Sequence, residues 1–155
     1  MNAVTKILVS LFELLKLYSR QNGLGDHLKG MDKSCNLSAG QSIYSMIFLY
    51  LFVINTAIIV NYYYGIFNRI PFHRWIWWLL NVLVGAVILF VIGFSYTHND
   101  LENKNYCNEL AIKTSDCFGF AWTAGIYSVA WSVVLSYIIK WWSTINKIVN
   151  PFYFI

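Results

Sequence analysis

The chain has 155 residues, of which 58% are hydrophobic and only 12% are charged, whereas a typical soluble domain carries about 25% charged residues. A surface that poor in charge excludes an ordinary water-soluble globule, and the length allows one domain at most. The formal net charge of +4 comes from basic residues scattered between apolar blocks, not gathered in a patch, so no direct nucleic-acid partner is expected.

The first segment, residues 4–20, reads as an amphipathic helix. Lys6, Ser10, Glu13, Lys16 and Arg20 follow one another at spacings of four, three, three and four, which puts them on one stripe, while Ile7, Leu8, Leu11, Phe12, Leu14, Leu15 and Tyr18 cover the rest. Two placements fit. The helix can lie at the interface with its apolar face in lipid. It can also span, with Glu13 and Lys16 pairing inside a bundle to offset about 2.5 to 3.5 kcal/mol for each lone charge at the bilayer centre. A cleaved signal peptide is not expected, because Glu13 and Lys16 interrupt the apolar region and no small-x-small site follows.

A polar, glycine-bearing connector, residues 20–41, leads to three long apolar blocks at 42–64, 75–96 and 118–139, none of which carries a formal charge. At 1.5 Å per residue the first would run roughly 34 Å, enough to cross a hydrocarbon layer of about 30 Å. Strands are excluded by the absence of turn signals inside the blocks and by the lack of dyad alternation. Helix also satisfies every backbone polar group internally, as lipid demands. The expected fold is therefore an all-α, polytopic transmembrane bundle forming a single transmembrane domain over 1–155. It has four helices, at about 4–20, 42–64, 75–96 and 118–142, the first either spanning or interfacial.

The turn between the second and third helices carries Arg69, His73 and Arg74, and the segment after the last helix carries Lys140 and Lys147, with no acid in either. Trp75, Trp77 and Trp78 beside Arg74, and Trp141 and Trp142 beside Lys140, mark one membrane interface. The loop 97–117 has four acids against Lys104 and Lys113, and so belongs to the opposite face. Lysine and arginine counts near the spans are nearly even on the two sides, which leaves orientation to the cysteines. Cys107 and Cys117 lie ten apart in this loop, and an oxidising compartment would let them bridge, with Cys35 left over. Three unrelated reduced thiols are the alternative. The orientation carried forward has the loop outside the cell membrane, and the basic turn and C-terminal segment in the cytoplasm. After 139 the sequence turns aromatic and reaches Asn150-Pro151, which ends the last helix and leaves an apolar stretch, 152–155, for the membrane surface or a partner.

Motifs for chemistry are sparse. His27, His73 and His98 fall in different loops, and no HExxH, CxxC, GxSxG or phosphate-cradling glycine loop occurs, so neither catalysis nor any metal or cofactor is expected. Within the spans, Asn55, Asn61 and Asn81 need hydrogen-bond partners. Asn55 and Asn81 could line a polar path, or could bond between helices for about 0.6 to 2 kcal/mol. Ala121, Gly125, Ser128, Ser132 and Ser136 recur at spacings of four, three, four and four, a small-residue stripe for close helix packing. Asn81, Gly85 and Gly93 offer a partly matching face, within one chain or between copies. So few helices enclose little interior for a substrate, which favours a homo-oligomer.

With the short basic turn Asn68-Arg69-Ile70-Pro71-Phe72-His73-Arg74, polar outer loops and a compact helical layout, the chain resembles the KwaA family, the membrane subunits of the bacterial Kiwa antiphage defence system. That resemblance is one of size and layout over the whole chain and transfers no catalytic residue. It implies a homo-oligomeric, multi-pass inner-membrane sensor of phage attachment or envelope disturbance that works with a cytoplasmic effector. Arg69, His73, Arg74, Lys140 and Lys147 would then contact that effector. The alternative is a small homo-oligomeric channel built around Asn55 or Asn81.

Overall fold

A computed structural model describes residues 3–21, 23–31, 33–35, 42–64 and 75–139. Among these residues five helices follow in order: α1 Ala3–Glu13, α2 Leu24–Leu28, α3 Ile43–Tyr64, α4 Trp75–Glu102 and α5 Thr114–Ile139. No strand occurs among the described residues, and the all-α expectation holds. α3, α4 and α5 are each long and apolar enough to cross a membrane. Large apolar side chains stand exposed along all three, among them Phe52, Val53, Val84, Val87, Val91 and Trp122. In water these would be an unstable surface, and in lipid they are the solvated one. The chain is an integral membrane protein.

α1 is shorter than the expected 4–20 helix. Its 11 residues reach about 16 Å, half the hydrocarbon depth. Backbone hydrogen bonds from Leu14 to Leu11 and from Lys16 to Glu13 tighten the last turn, and Lys16 takes a left-handed φ of 55° that no helix can continue through. The chain swings away there, and the side chains that a longer helix would have aligned separate. Glu13 therefore does not pair with Lys16; its partner is Lys29, at 3.1 Å.

The other boundaries shift for equally local reasons. α4 runs on to Glu102, six residues past the expected 96. It ends in a Schellman arrangement in which Asn105 N–H bonds the Asp100 carbonyl and Lys104 N–H bonds that of Leu101, with Lys104 left-handed at φ 51°. α5 starts at Thr114 instead of 118, because Asp116 reaches back to accept from the Lys113 backbone N–H at 3.1 Å, half of a capping box, with its charge well placed at a helix N-terminus. The loop between these helices thus shrinks to residues 103–113. The basic turn with Arg69, His73 and Arg74, and the segment with Lys140 and Lys147, lie outside the described residues, as does the expected last turn of α5 to 142.

The chain divides into two compact units, Met1–Tyr50 with Leu89–Ala124, and Leu51–Ile88 with Gly125–Ile155. In the first, Phe12 packs on Tyr44 and Phe120 with ring centroids 5.7 and 5.9 Å away, and Tyr18 meets Phe120 edge-on. In the second, Ile59, Tyr62, Tyr63, Trp78, Val82 and Leu135 form the core.

Candidate functional site

The chain's described charged groups all fall in the first unit, and six of them, Glu13, Asp26, His27, Lys29, Asp100 and Asp116, make the contacts of a polar cap. α2 brings Asp26, His27 and Lys29 together within one and a half turns. Lys29 Nζ sits 3.1 Å from both Glu13 Oε1 and Asp26 Oδ1. Burial works to lower the Lys29 pKa, but hydrogen bonds and charge from Asp26 and Glu13 outweigh it and hold the ammonium above its ordinary 10.5. His27, buried, places Nε2 3.2 Å from Asp100 Oδ2 near the end of α4, with the Tyr106 ring edge-on to the imidazole. Asp116 accepts a further hydrogen bond from the Ser19 backbone N–H at 3.0 Å, and the Tyr18 and Tyr44 hydroxyls bond each other at 2.9 Å. The Tyr18, Ser19 and His27 contacts tie the segment after α1 to α3, α5 and α4 in turn, while Lys29 ties it back to α1.

A disulfide completes the cap, and it is not the expected one. Cys107 is bonded to Cys35, 72 positions away with Cα atoms 5.1 Å apart, while Cys117 is free and buried. The reason is the early start of α5. Cys117 becomes a helical residue facing the core, whereas Cys107 stays in the 103–113 loop, against the turn bearing Cys35. Glu109 brings a carboxylate oxygen within 4.8 Å of both sulfurs, but bonded sulfurs have no thiolate to offer a metal. The first unit also has an open cleft of about 370 Å³ lined, among the described residues, by Glu13, Arg20, Gln21 and Lys29.

The second unit holds a polar cluster of opposite character, neutral and closed. Asn55 is fully buried. Its Oδ1 accepts from Ser128 at 2.9 Å and Ser132 at 3.0 Å, and its Nδ2 donates to the Leu51 carbonyl at 2.8 Å. Both the oxygen and the nitrogen of the amide are bonded to protein. One turn further along α5, Ser136 accepts from Trp78 Nε1 and donates to the Ser132 carbonyl, both at 2.8 Å. Two polar atoms in this unit, Thr56 Oγ1 and Trp131 Nε1, are buried without a hydrogen-bond partner.

The small-residue stripe is buried along its whole length: Ala121, Gly125, Ser128, Ser132 and Ser136. Within the second unit Gly85 faces it so closely that a Cβ there would stand 2.6 Å from Asn55 Oδ1 and 3.5 Å from Ser128 Oγ. Within the first, Gly93 faces Ala121 and Ala124 at ordinary contact distance. Asn81 is half-buried and spends its Nδ2 on the Trp77 carbonyl of its own helix. Sequence reasoning paired α4 with α5 through these residues but missed the carboxylates of Glu13, Asp26, Asp100 and Asp116 as cap-forming groups. The partners of Glu13 and Asp100 are remote in sequence, and only the i,i+3 pair of Asp26 with Lys29 and the capping position of Asp116 carried a local signal.

Fold and site together define a multi-pass α-helical membrane protein with a charged, disulfide-tied cap and an uncharged bundle interior. Comparison with family models, curated proteins and solved structures finds no match to this chain in any of the three.

Proposed function

We propose that this chain is an envelope-sensing subunit of the bacterial inner membrane, a small homo-oligomer that signals to or recruits a cytoplasmic effector, as an antiphage defence complex requires. The observation that carries the reading is the Cys35–Cys107 bond within the cap. Such a bond persists in an oxidising compartment and not in the cytosol, so it favours a cap that faces the periplasm, where an approaching phage or a disturbed envelope would first act. With the cap outward and three spans, the turn with Arg69, His73 and Arg74, and the segment with Lys140 and Lys147, would belong to the cytoplasmic side, open to an effector.

A sensor of this kind needs an element with two arrangements of similar energy. The cap is suited to that because its ties are discrete ion pairs and hydrogen bonds that can exchange as a set. The pore alternative draws less support, since Asn55 is fully buried and its oxygen already accepts from two serines. In a phage-challenge assay, cells carrying the chain with its neighbouring genes should resist infection, and Cys35→Ser with Cys107→Ser should abolish resistance while leaving membrane expression intact. Plaque counts unchanged by the intact genes would remove the defence reading, and steady single-channel conductance abolished by Asn81→Leu would put a channel in its place. A detergent-corrected mass equal to one 18.0 kDa chain would remove the oligomer.

A further inference from the structure

The cleft on the cap has a charge arrangement that its internal ion pairs do not use up. Lys29 is shared by two acids, Glu13 and Asp26, so those three groups together carry one net negative charge. Arg20 lines the same cleft and, among the described residues, has no ion-pair partner. The site is thus neutral in sum but dipolar, with a free guanidinium in one part and an excess carboxylate in another. Gln21, beside Arg20, adds an amide that both donates and accepts.

The cleft also has a placement. On α1 and in the turn that ends it, Ile7, Leu11 and Leu14 are exposed at 67%, 37% and 72%, at spacings of four and three, and Leu17, past the break at Lys16, is exposed at 45%. This apolar row points away from Leu8, Val9 and Phe12, which are buried. In a membrane protein such a row lies against acyl chains, and it stops three residues before Arg20. A guanidinium three residues from such apolar surface suits the headgroup layer, the position in which long basic side chains reach out from apolar surface.

We infer that the cleft binds the zwitterionic headgroup of an ethanolamine phospholipid, with the phosphodiester on Arg20 and Gln21 and the primary ammonium on Glu13. The planar guanidinium matches two phosphate oxygens at once, and the ammonium supplies the cation that the excess carboxylate lacks. A cleft of about 370 Å³ falls in the size range of small-ligand sites. A choline headgroup has no N–H to give Glu13, and a glycerol headgroup has no cation. Both should bind less well. The inference rests on the chain being a membrane protein and not on the sensing role.

The test is native mass spectrometry of the full-length protein released from nanodiscs holding equal amounts of phosphatidylethanolamine, phosphatidylcholine and phosphatidylglycerol. Retention of the ethanolamine lipid should exceed that of the choline lipid about tenfold, as one charge-assisted hydrogen bond implies. Arg20→Ala removes no internal pair, so it should fold normally and erase the preference. Equal retention of all three lipids, preference for phosphatidylglycerol, or an unchanged preference in Arg20→Ala would overturn the inference. Soluble glycerophosphoethanolamine should fail to displace the lipid at millimolar concentration; displacement would assign the cleft to a free metabolite and overturn the lipid source.

Discussion

The two units solve the same problem, polar groups in a mainly apolar chain, in opposite ways. In the cap, the groups are charged, paired across long sequence separations and reinforced by a covalent bond: Glu13 with Lys29, His27 with Asp100, Cys35 with Cys107. In the second unit they are neutral, and those at its centre find partners on their own or a neighbouring helix, as Asn55 does with Leu51, Ser128 and Ser132, while Thr56 Oγ1 and Trp131 Nε1 go without one. The difference follows from solvent. An ion pair half open to water loses little hydration and can rearrange, whereas an amide inside a bundle in lipid has no water to fall back on and must be satisfied by geometry alone. The cap is therefore the region suited to responding, and the second unit the region suited to holding shape.

The covalent tie gives the largest expected effect. Removing the Cys35–Cys107 bond, which spans 72 positions, with Cys35→Ser should lower stability by about 2 to 4 kcal/mol on the chain-entropy argument. The loss should appear as faster proteolysis within 14–35 than within the long helices. Equal proteolysis of cap and helices would erase the distinction between the two regions.

Backbone crowding comes next and separates two glycines on neighbouring helices. A Cβ on Gly119 would overlap the Leu17 carbonyl, while one on Gly93 would meet its neighbours no closer than 3.5 Å. Gly119→Ala should therefore cost about 1 to 3 kcal/mol in detergent unfolding, and Gly93→Ala close to nothing. Similar midpoints for the two variants would mean that the segment after α1 does not lie on α5.

In the second unit, Asn55→Leu should cost about 0.6 to 2 kcal/mol without altering lipid binding or cap proteolysis. Gly85→Ala should reproduce much of that loss by pushing the amide off its serines. A variant of Asn55 that left the midpoint unchanged would return the residue to the list of path-lining candidates.

The smallest effect is a pH dependence of the cap. Because the Lys29 pKa is raised above 10.5 in the folded protein, its pairing stabilises fully below 10.5 and is lost as pH climbs through the raised value. The stability difference between the wild type and Lys29→Met should therefore be constant around neutral pH and shrink on the alkaline side above about 10.5. A difference that shrank on acidification instead would point to the carboxylates.

The sequence made the bundle legible because each span announces itself by length and absence of charge, and because the serine stripe of α5 and Gly85 carry a period that only a helix face explains. The cap was opaque for the opposite reason. α1 looked continuous to Arg20 since nothing in Leu14-Leu15-Lys16 forbids helix; it is the tertiary fit of Tyr18 against Tyr44 and Phe120 that accompanies the break at Lys16. Once that break is missed, Lys29 cannot be seen as the partner of Glu13, nor Cys35 as the partner of Cys107. Nearness in sequence favoured Cys117, which the first turn of α5 turns inward.

The central claim, a cap closed by Cys35 and Cys107 on the outer face of the membrane, is tested most directly by thiol labelling in intact cells. An impermeant maleimide applied without reductant should label none of the three cysteines, and after mild reduction it should label Cys35 and Cys107 together while buried Cys117 stays unlabelled. Labelling of Cys35 or Cys107 before reduction, or no labelling of either after it, would contradict the account.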